Sequence, residues 1–195
     1  MKVKICGIMN SDDAEMCESY GADALGFVHI PGRSRSIPVE KIAEICSTLG
    51  PMTTKIVVCA PKSIEKAFQI IQNSEADAIQ LYTLSPEEIH VLSDHGIYVI
   101  RAVPPSRSEA TKFADFADAL LFENGRPGTG NSYDYSKIPI DCCRHAIIAG
   151  GLTIENLHLA KALRPYALDV STGVENSLGK KDPSLVAEFI RRCKQ

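Results

Sequence analysis

The chain has 195 residues, is 45% hydrophobic and 23% charged, and carries a net charge of −3 with a pI of about 6.0. That composition and length suit one globular domain spanning 1–195, able to bury a core without staples. The charge balance argues against nucleic acid or a membrane surface as partner, and no apolar run approaches the roughly 18 residues of a membrane span or forms a secretory signal.

The first predicted element is a short buried strand, Lys2-Val3-Lys4-Ile5-Cys6, that ends on a thiol before the turn at Gly7. Helical spacing then runs from Asp12 to Tyr20, with Ser11 or Asn10 as N-cap and Gly21 as the stop. A second strand, Ala24 to Val28, leads into a loop with Arg33 and Arg35 and a helix from Val39 to Leu49. Strand and helix keep alternating: Lys55 to Cys59, then Ser63 to Asn73; Ala78 to Leu81, then Pro86 to Ser93; Ile97 to Ala102, then Glu109 to Phe116. The sixth strand, Ala119 to Phe122, is followed by a glycine-rich loop from Gly125 to Gly130. The seventh, Ala146 to Ala149, precedes a helix from Ile154 to Leu163, and the eighth, Tyr166 to Val170, precedes a closing helix from Ser184 to Arg192.

Alternation of this kind implies a parallel sheet, and eight units imply a closed α/β barrel of the (β/α)8 TIM type, compact for its class. The competing architecture, an open doubly wound sheet, predicts fewer strands and a G-x-G-x-x-G turn after the first, which is absent. A weak repeat supports the barrel. Ala22-Asp23-Ala24, Ala76-Asp77-Ala78 and Ala117-Asp118-Ala119 each open a strand, so these aspartates belong to the face that serves stability.

The active face of such a barrel is built from the carboxyl ends of its strands. Cys6 ends the first strand. Taken alone it is a small buried hydrophobe, as most of the seven cysteines are expected to be; their odd number and the lack of a Cys-x-x-Cys pair point to reduced thiols in a cytoplasm. Glu123 follows four apolar residues at the end of the sixth strand, as either a solvated loop acid or a working one. A thiol and a carboxyl at one mouth suit paired acid–base chemistry, provided some positive charge or dipole favours the thiolate. Gly150-Gly151 after strand seven and Ser171-Thr172-Gly173 after strand eight are either plain turns or the phosphate-binding loops usual at those two places. Arg35, with Arg33 as its competitor, has the planar fork that clamps a carboxylate. Asp169, inside strand eight, is either a paired interior acid or a substrate-positioning one. His29 has no neighbours with metal-ligand spacing, so no metal site is expected.

These motifs resemble the phosphoribosylanthranilate isomerase family along the whole chain. Lys4-Ile5-Cys6-Gly7-Ile8 is similar to its opening motif, and Gly21 through Val28 to its second strand. Ser34-Arg35 followed by Glu40, Gln80-Leu81, Gly128-Thr129-Gly130, Gly150-Gly151-Leu152 and Arg164 through Glu175 are similar to its later loops and strands, in order. The resemblance implies a cytoplasmic enzyme of tryptophan biosynthesis that converts N-(5-phosphoribosyl)anthranilate to the 1-deoxyribulose phosphate by an Amadori rearrangement. It implies Cys6 as general base, Glu123 as general acid, Arg35 at the anthranilate carboxylate and Gln80 and Asp169 at the substrate. The phosphate falls to Gly150, Gly151, Ser171, Thr172 and Gly173. No cofactor is implied, and the protein is expected to work as a monomer or homodimer.

Three departures from the family pattern stand out. The acid position holds Glu123 rather than aspartate, which reaches one methylene further and needs compensation in its placement. Tyr82-Thr83 replaces His-Gly after strand four, and Pro127 replaces a glycine after strand six. The alternatives are another sugar-phosphate isomerase or lyase on the same scaffold, and a non-catalytic barrel that only binds a sugar phosphate.

Overall fold

Eight strands pair in parallel and in chain order, and the eighth pairs with the first, so the sheet closes. The computed structural model describes residues 1–124, 130–177 and 179–195. The strands are β1 Lys2–Cys6, β2 Ala24–His29, β3 Thr54–Cys59, β4 Ala78–Leu81, β5 Tyr98–Val103, β6 Ala119–Phe122, β7 Ala146–Ile148 and β8 Ala167–Val170. The expected (β/α)8 barrel is the fold, and each strand lies within a residue of its expected ends. Of the glycine-rich stretch after β6, Gly125 to Thr129, with Pro127 and Gly128, lie outside the described residues.

The helices are α1 Ser11–Ser19, α2 Val39–Cys46, α3 Ile64–Ser74, α4 Pro86–Asp94, α5 Arg107–Phe113, α6 Leu157–Lys161 and α7 Pro183–Lys194. Local chemistry starts them. Asn10 caps α1 through the Asp13 N–H, and Ser85 with Glu88 forms a reciprocal capping box ahead of Pro86. Asp182 caps α7. Three helices depart from expectation. Helix α2 stops at Cys46 because the Ser47 and Thr48 hydroxyls donate to the Glu44 and Ile45 carbonyls and tighten the end. Helix α6 is shorter than Ile154 to Leu163 because the Asn156 side chain accepts from the Thr153 N–H and donates to the Gly151 carbonyl, holding the entry as a turn. Helix α5 begins earlier than Glu109, at Arg107, and ends at Phe113. A hairpin of β9 Glu175–Ser177 and β10 Lys180–Lys181 lies between β8 and α7 and was not expected.

The repeated aspartates have a shared structural task. Asp23, Asp77 and Asp118 precede β2, β4 and β6, and each carboxylate accepts the N–H of a residue on the preceding strand: Val3, Lys55 and Val99. Each ties neighbouring strand starts at the amino-terminal end, as their position in the sequence implied.

Side chains alternate across the closed sheet. One apolar cluster fills the barrel, with Ile56, Val58, Ile100, Leu121 and Ile147 among alanines and Cys6 at its edge. The other, including Val3, Ile5, Phe27, Leu81, Phe122 and Phe189, joins the outside of the sheet to the helices. Among the described residues no helix is long and apolar enough to cross a membrane.

Candidate active site

Counting by two from the interior residues leads to the mouth of the barrel. From Lys4 the next inward position is Cys6. Ala119 and Leu121 lead to Glu123, Ala78 to Gln80 and then Tyr82, and Ala167 to Asp169 and then Ser171. These ends meet in a cavity of about 370 Å³, lined by Cys6, Arg33, Arg35, Gln80, Tyr82, Glu123, Gly150, Gly151, Asp169, Ser171 and Thr172, among others. Its size is that of a small-molecule site. Gly173 stands outside the lining; an added Cβ there would collide with the Leu152 carbonyl oxygen, so its glycine lets the loops after β7 and β8 pack closely.

Positive charge stands beside the Cys6 thiol. Lys4 Nζ is 2.9 Å from Asp169 Oδ1, with both side chains buried, and it also hydrogen-bonds the Cys6 sulfur. Burial works against the Lys4 charge, but Asp169 and Cys6 more than offset it and hold the ammonium well above the ordinary lysine range. Burial pushes the Cys6 thiol up; Lys4 and Lys181 pull it back, Asp169 opposes them, and the thiol remains above its ordinary value. Gly26 leaves room for this pair, since a Cβ there would sit 2.8 Å from the sulfur and 2.9 Å from Lys4 Nζ. Asp169 is thus paired in the interior, and it also lines the cavity.

Replacing Lys4 with methionine leaves the Asp169 carboxylate buried without its cation. The expected loss is about 3–5 kcal/mol of folding stability, read from urea denaturation, because an orphaned buried charge is not solvated. Lys4→Met combined with Asp169→Leu is expected to recover most of that loss.

Glu123 is held from one side by the Tyr82 hydroxyl, which donates to Oε1. Burial raises the Glu123 carboxyl; the Tyr82 bond lowers it, Asp169 raises it, Lys4 and Arg33 lower it, and the net direction is upward. Gln80 Nε2 donates to the Tyr82 oxygen at 3.4 Å, while Gln80 Oε1 is buried without a partner among the described residues. An acceptor in that state, on a cavity-lining residue, is suited to a ligand hydroxyl.

Arg35 is already clamped. Its Nε and Nη2 donate to the two Glu175 oxygens at 2.8 and 2.7 Å. Lys181 bridges the same carboxylate, at 2.8 Å, to the carbonyls of Cys6 at 2.7 Å and Ser171 at 3.2 Å. The loop after β2 is thus tied to the ends of β1 and β8. Gly150 and Gly151 have φ of +92° and +65°, and their carbonyls accept from the Tyr135 hydroxyl and the Asn156 amide.

The model of the N-(5'phosphoribosyl)anthranilate (PRA) isomerase family matches residues 3–192. The chain belongs to that family. An N-(5'-phosphoribosyl)anthranilate isomerase of Methanothrix thermoacetophila is 37% identical over 204 aligned residues, 99% of this chain and 98% of that one. The crystal structure of phosphoribosyl anthranilate isomerase from Thermus thermophilus superposes with a TM-score of 0.90 at 36% identity, covering 100% of this chain and 98% of that one. A phosphoribosyl anthranilate isomerase crystallised with reduced 1-(o-carboxyphenylamino)-1-deoxyribulose 5-phosphate gives a TM-score of 0.89 at 33% identity, again with 100% and 98% coverage.

Within this PRA isomerase fold, the sequence reading assigns no role to Lys4, Glu175 and Lys181, which hold the groups around the cavity, and notes Tyr82 only as a departure. Lys4 had a usable signal, because it shares a face with Cys6 two residues on and a lysine on the inner face of a barrel strand needs a buried acid. Lys181 and Glu175 had none, since their roles depend on the hairpin that carries both.

Proposed function

We propose that this single barrel catalyses the Amadori rearrangement of N-(5'-phosphoribosyl)anthranilate to 1-(2-carboxyphenylamino)-1-deoxyribulose 5-phosphate in tryptophan biosynthesis. The observation that carries the residue roles is that a thiol beside an ammonium and a buried, partly shielded carboxyl share one cavity. Glu123 donates its proton to the furanose ring oxygen, the C1′–O bond opens, and a Schiff base forms with the anthranilate nitrogen. The Cys6 thiolate then removes the C2′ proton, and the resulting enolamine tautomerises to the ketone.

The remaining groups position the substrate. Arg35 receives the anthranilate carboxylate on the side of its guanidinium that Glu175 does not occupy. Asp169 and Gln80 Oε1 accept ribose hydroxyls. Gly150, Gly151, Ser171 and Thr172 surround the phosphate, and Gly173 supports their loops. The protein works in the cytoplasm on a free small molecule, as a monomer or homodimer.

The test is a fluorescence assay of purified protein with freshly made substrate. Loss of the substrate signal supports the reading; binding of the reduced product without turnover overturns it in favour of a sugar-phosphate-binding barrel. The pH dependence follows from the shifts. Burial raises both the Cys6 thiol and the Glu123 carboxyl from their ordinary values; with the carboxyl as the stronger acid of the two, the productive pair, thiolate with protonated carboxyl, is a minor but constant fraction between the two ionisations. The kcat/KM profile is expected to rise through the Glu123 ionisation in the acid range and to fall through that of Cys6 in the alkaline range. A profile that rises steadily through the alkaline range would remove Glu123 as the acid.

A further inference from the structure

Two of the departures from the family pattern meet in one hydrogen bond. Glu123 stands where the resemblance implies an aspartate, and Tyr82 where it implies a histidine. The tyrosine hydroxyl donates to Oε1 of Glu123. The same hydroxyl accepts from Gln80 Nε2, so its single proton is directed to the carboxylate. Gln80 lies on β4 and Tyr82 just past its end, two residues on and on the same inward face, and Tyr82 lines the same cavity as Glu123.

We infer that Tyr82 is a positioning residue that fits a glutamate into the place of a shorter acid, by fixing Oε1 and leaving Oε2 to deliver the proton. This rests on the reading of Glu123 as the general acid. A glutamate has one more rotatable bond than an aspartate and samples more positions of its carboxyl. Proton transfer needs the acid within about 2.6–3.2 Å of the atom it serves, so that freedom has to be removed. A tyrosine does this at low entropic cost, because its ring moves on only two torsions. A histidine at position 82 would end nearer the strand and would not reach in the same way. Burial, then the charge and hydrogen bond of Glu123, and less so Cys6 and Asp169, hold the Tyr82 hydroxyl well above its ordinary range, so it stays a donor.

The experiment compares wild type with Tyr82→Phe, Glu123→Asp, the double variant and Glu123→Gln in the turnover assay, with thermal melts as a fold control. Tyr82→Phe is expected to lower kcat about 10- to 100-fold with KM changed less than about threefold, since the loss lies in placing the acid and not in holding the substrate. Its affinity for the reduced product is expected to stay at the wild-type level. The acid limb of kcat/KM is expected to move to higher pH, because the hydroxyl that favoured the Glu123 carboxylate is gone. Glu123→Asp is expected to lose activity in the presence of Tyr82, and the double variant to be no worse than the poorer single one, the mark of two residues acting as a unit.

A Tyr82→Phe enzyme with wild-type kcat and an unmoved acid limb, beside an inactive Glu123→Gln, overturns the role of Tyr82 and leaves the acid in place. Strictly additive losses in the double variant overturn it too, since they describe two independent effects. Full activity of Glu123→Gln overturns the acid assignment itself.

Discussion

Cys6→Ser is expected to lower kcat by about 10²–10⁴-fold, the range over which a positioned general base acts, with KM changed only a few-fold. Serine keeps the size and burial of the side chain, so thermal stability should stay close to wild type and the loss can be assigned to chemistry. The difference lies in ionisation. Lys4 and Lys181 oppose the burial penalty on a thiol, and still leave it above its ordinary value. An alkanol begins several units higher, and the same two cations do not bring its alkoxide into reach. The C2′ proton then has no acceptor of useful basicity on that side of the cavity. Cys6→Ala should behave alike in turnover and lose somewhat more stability, because it leaves a void at the end of β1. Steady-state assays over a pH range, with the reduced product used to check binding, decide the matter. A serine variant that turns over at the wild-type rate would move the base to another residue.

The sequence made the barrel legible because its signals are local. Strands recur eight times and all but the sixth lead into a helix, and the Asp23, Asp77 and Asp118 repeat marks where strands begin. Period-two reading even places Glu123 inside, two residues beyond Leu121. What escaped was set by contacts between distant segments. The Lys4–Asp169 pair joins β1 to β8 across a register seen only once the sheet is closed. Arg35 looked like a bare fork awaiting a ligand carboxylate, but Glu175, 140 residues later, already occupies one side of it. Gly173 stands with the phosphate loops by its place after β8, and the close approach of Leu152 adds a packing demand that the sequence does not display. Helix α6 was overextended because the hydrophobic spacing of Ile154 to Leu163 is helical, while Asn156 offers the backbone a competing turn.

Glu123→Gln is expected to be less active and more stable than wild type. The amide has the size of the carboxyl, and its oxygen still accepts the Tyr82 hydroxyl, so the geometry of the mouth is kept. It has no acidic proton to give to the ring oxygen, and kcat is expected to fall about 10²–10⁴-fold while the reduced product binds within a few-fold of wild type. The residual activity should also change its pH dependence. With no carboxyl to titrate, the productive form needs only the Cys6 thiolate, so activity climbs with pH toward the alkaline ionisation of Cys6 instead of passing over a plateau. Stability moves the other way. Folding raises the Glu123 carboxyl because burial disfavours its charge, so the native state binds this proton more tightly than the unfolded chain does. Above the folded value the ionised carboxylate costs stability, and glutamine removes that cost. The gain should be full above the folded value, shrink as pH falls through it, and vanish below the unfolded one near 4.5. Urea denaturation at acid and neutral pH, beside kcat on the same preparations, reads both effects. A variant that lost both activity and stability would show that Glu123 holds the mouth together; the opposite changes expected here are those of an acid kept at a folding cost for the sake of its proton.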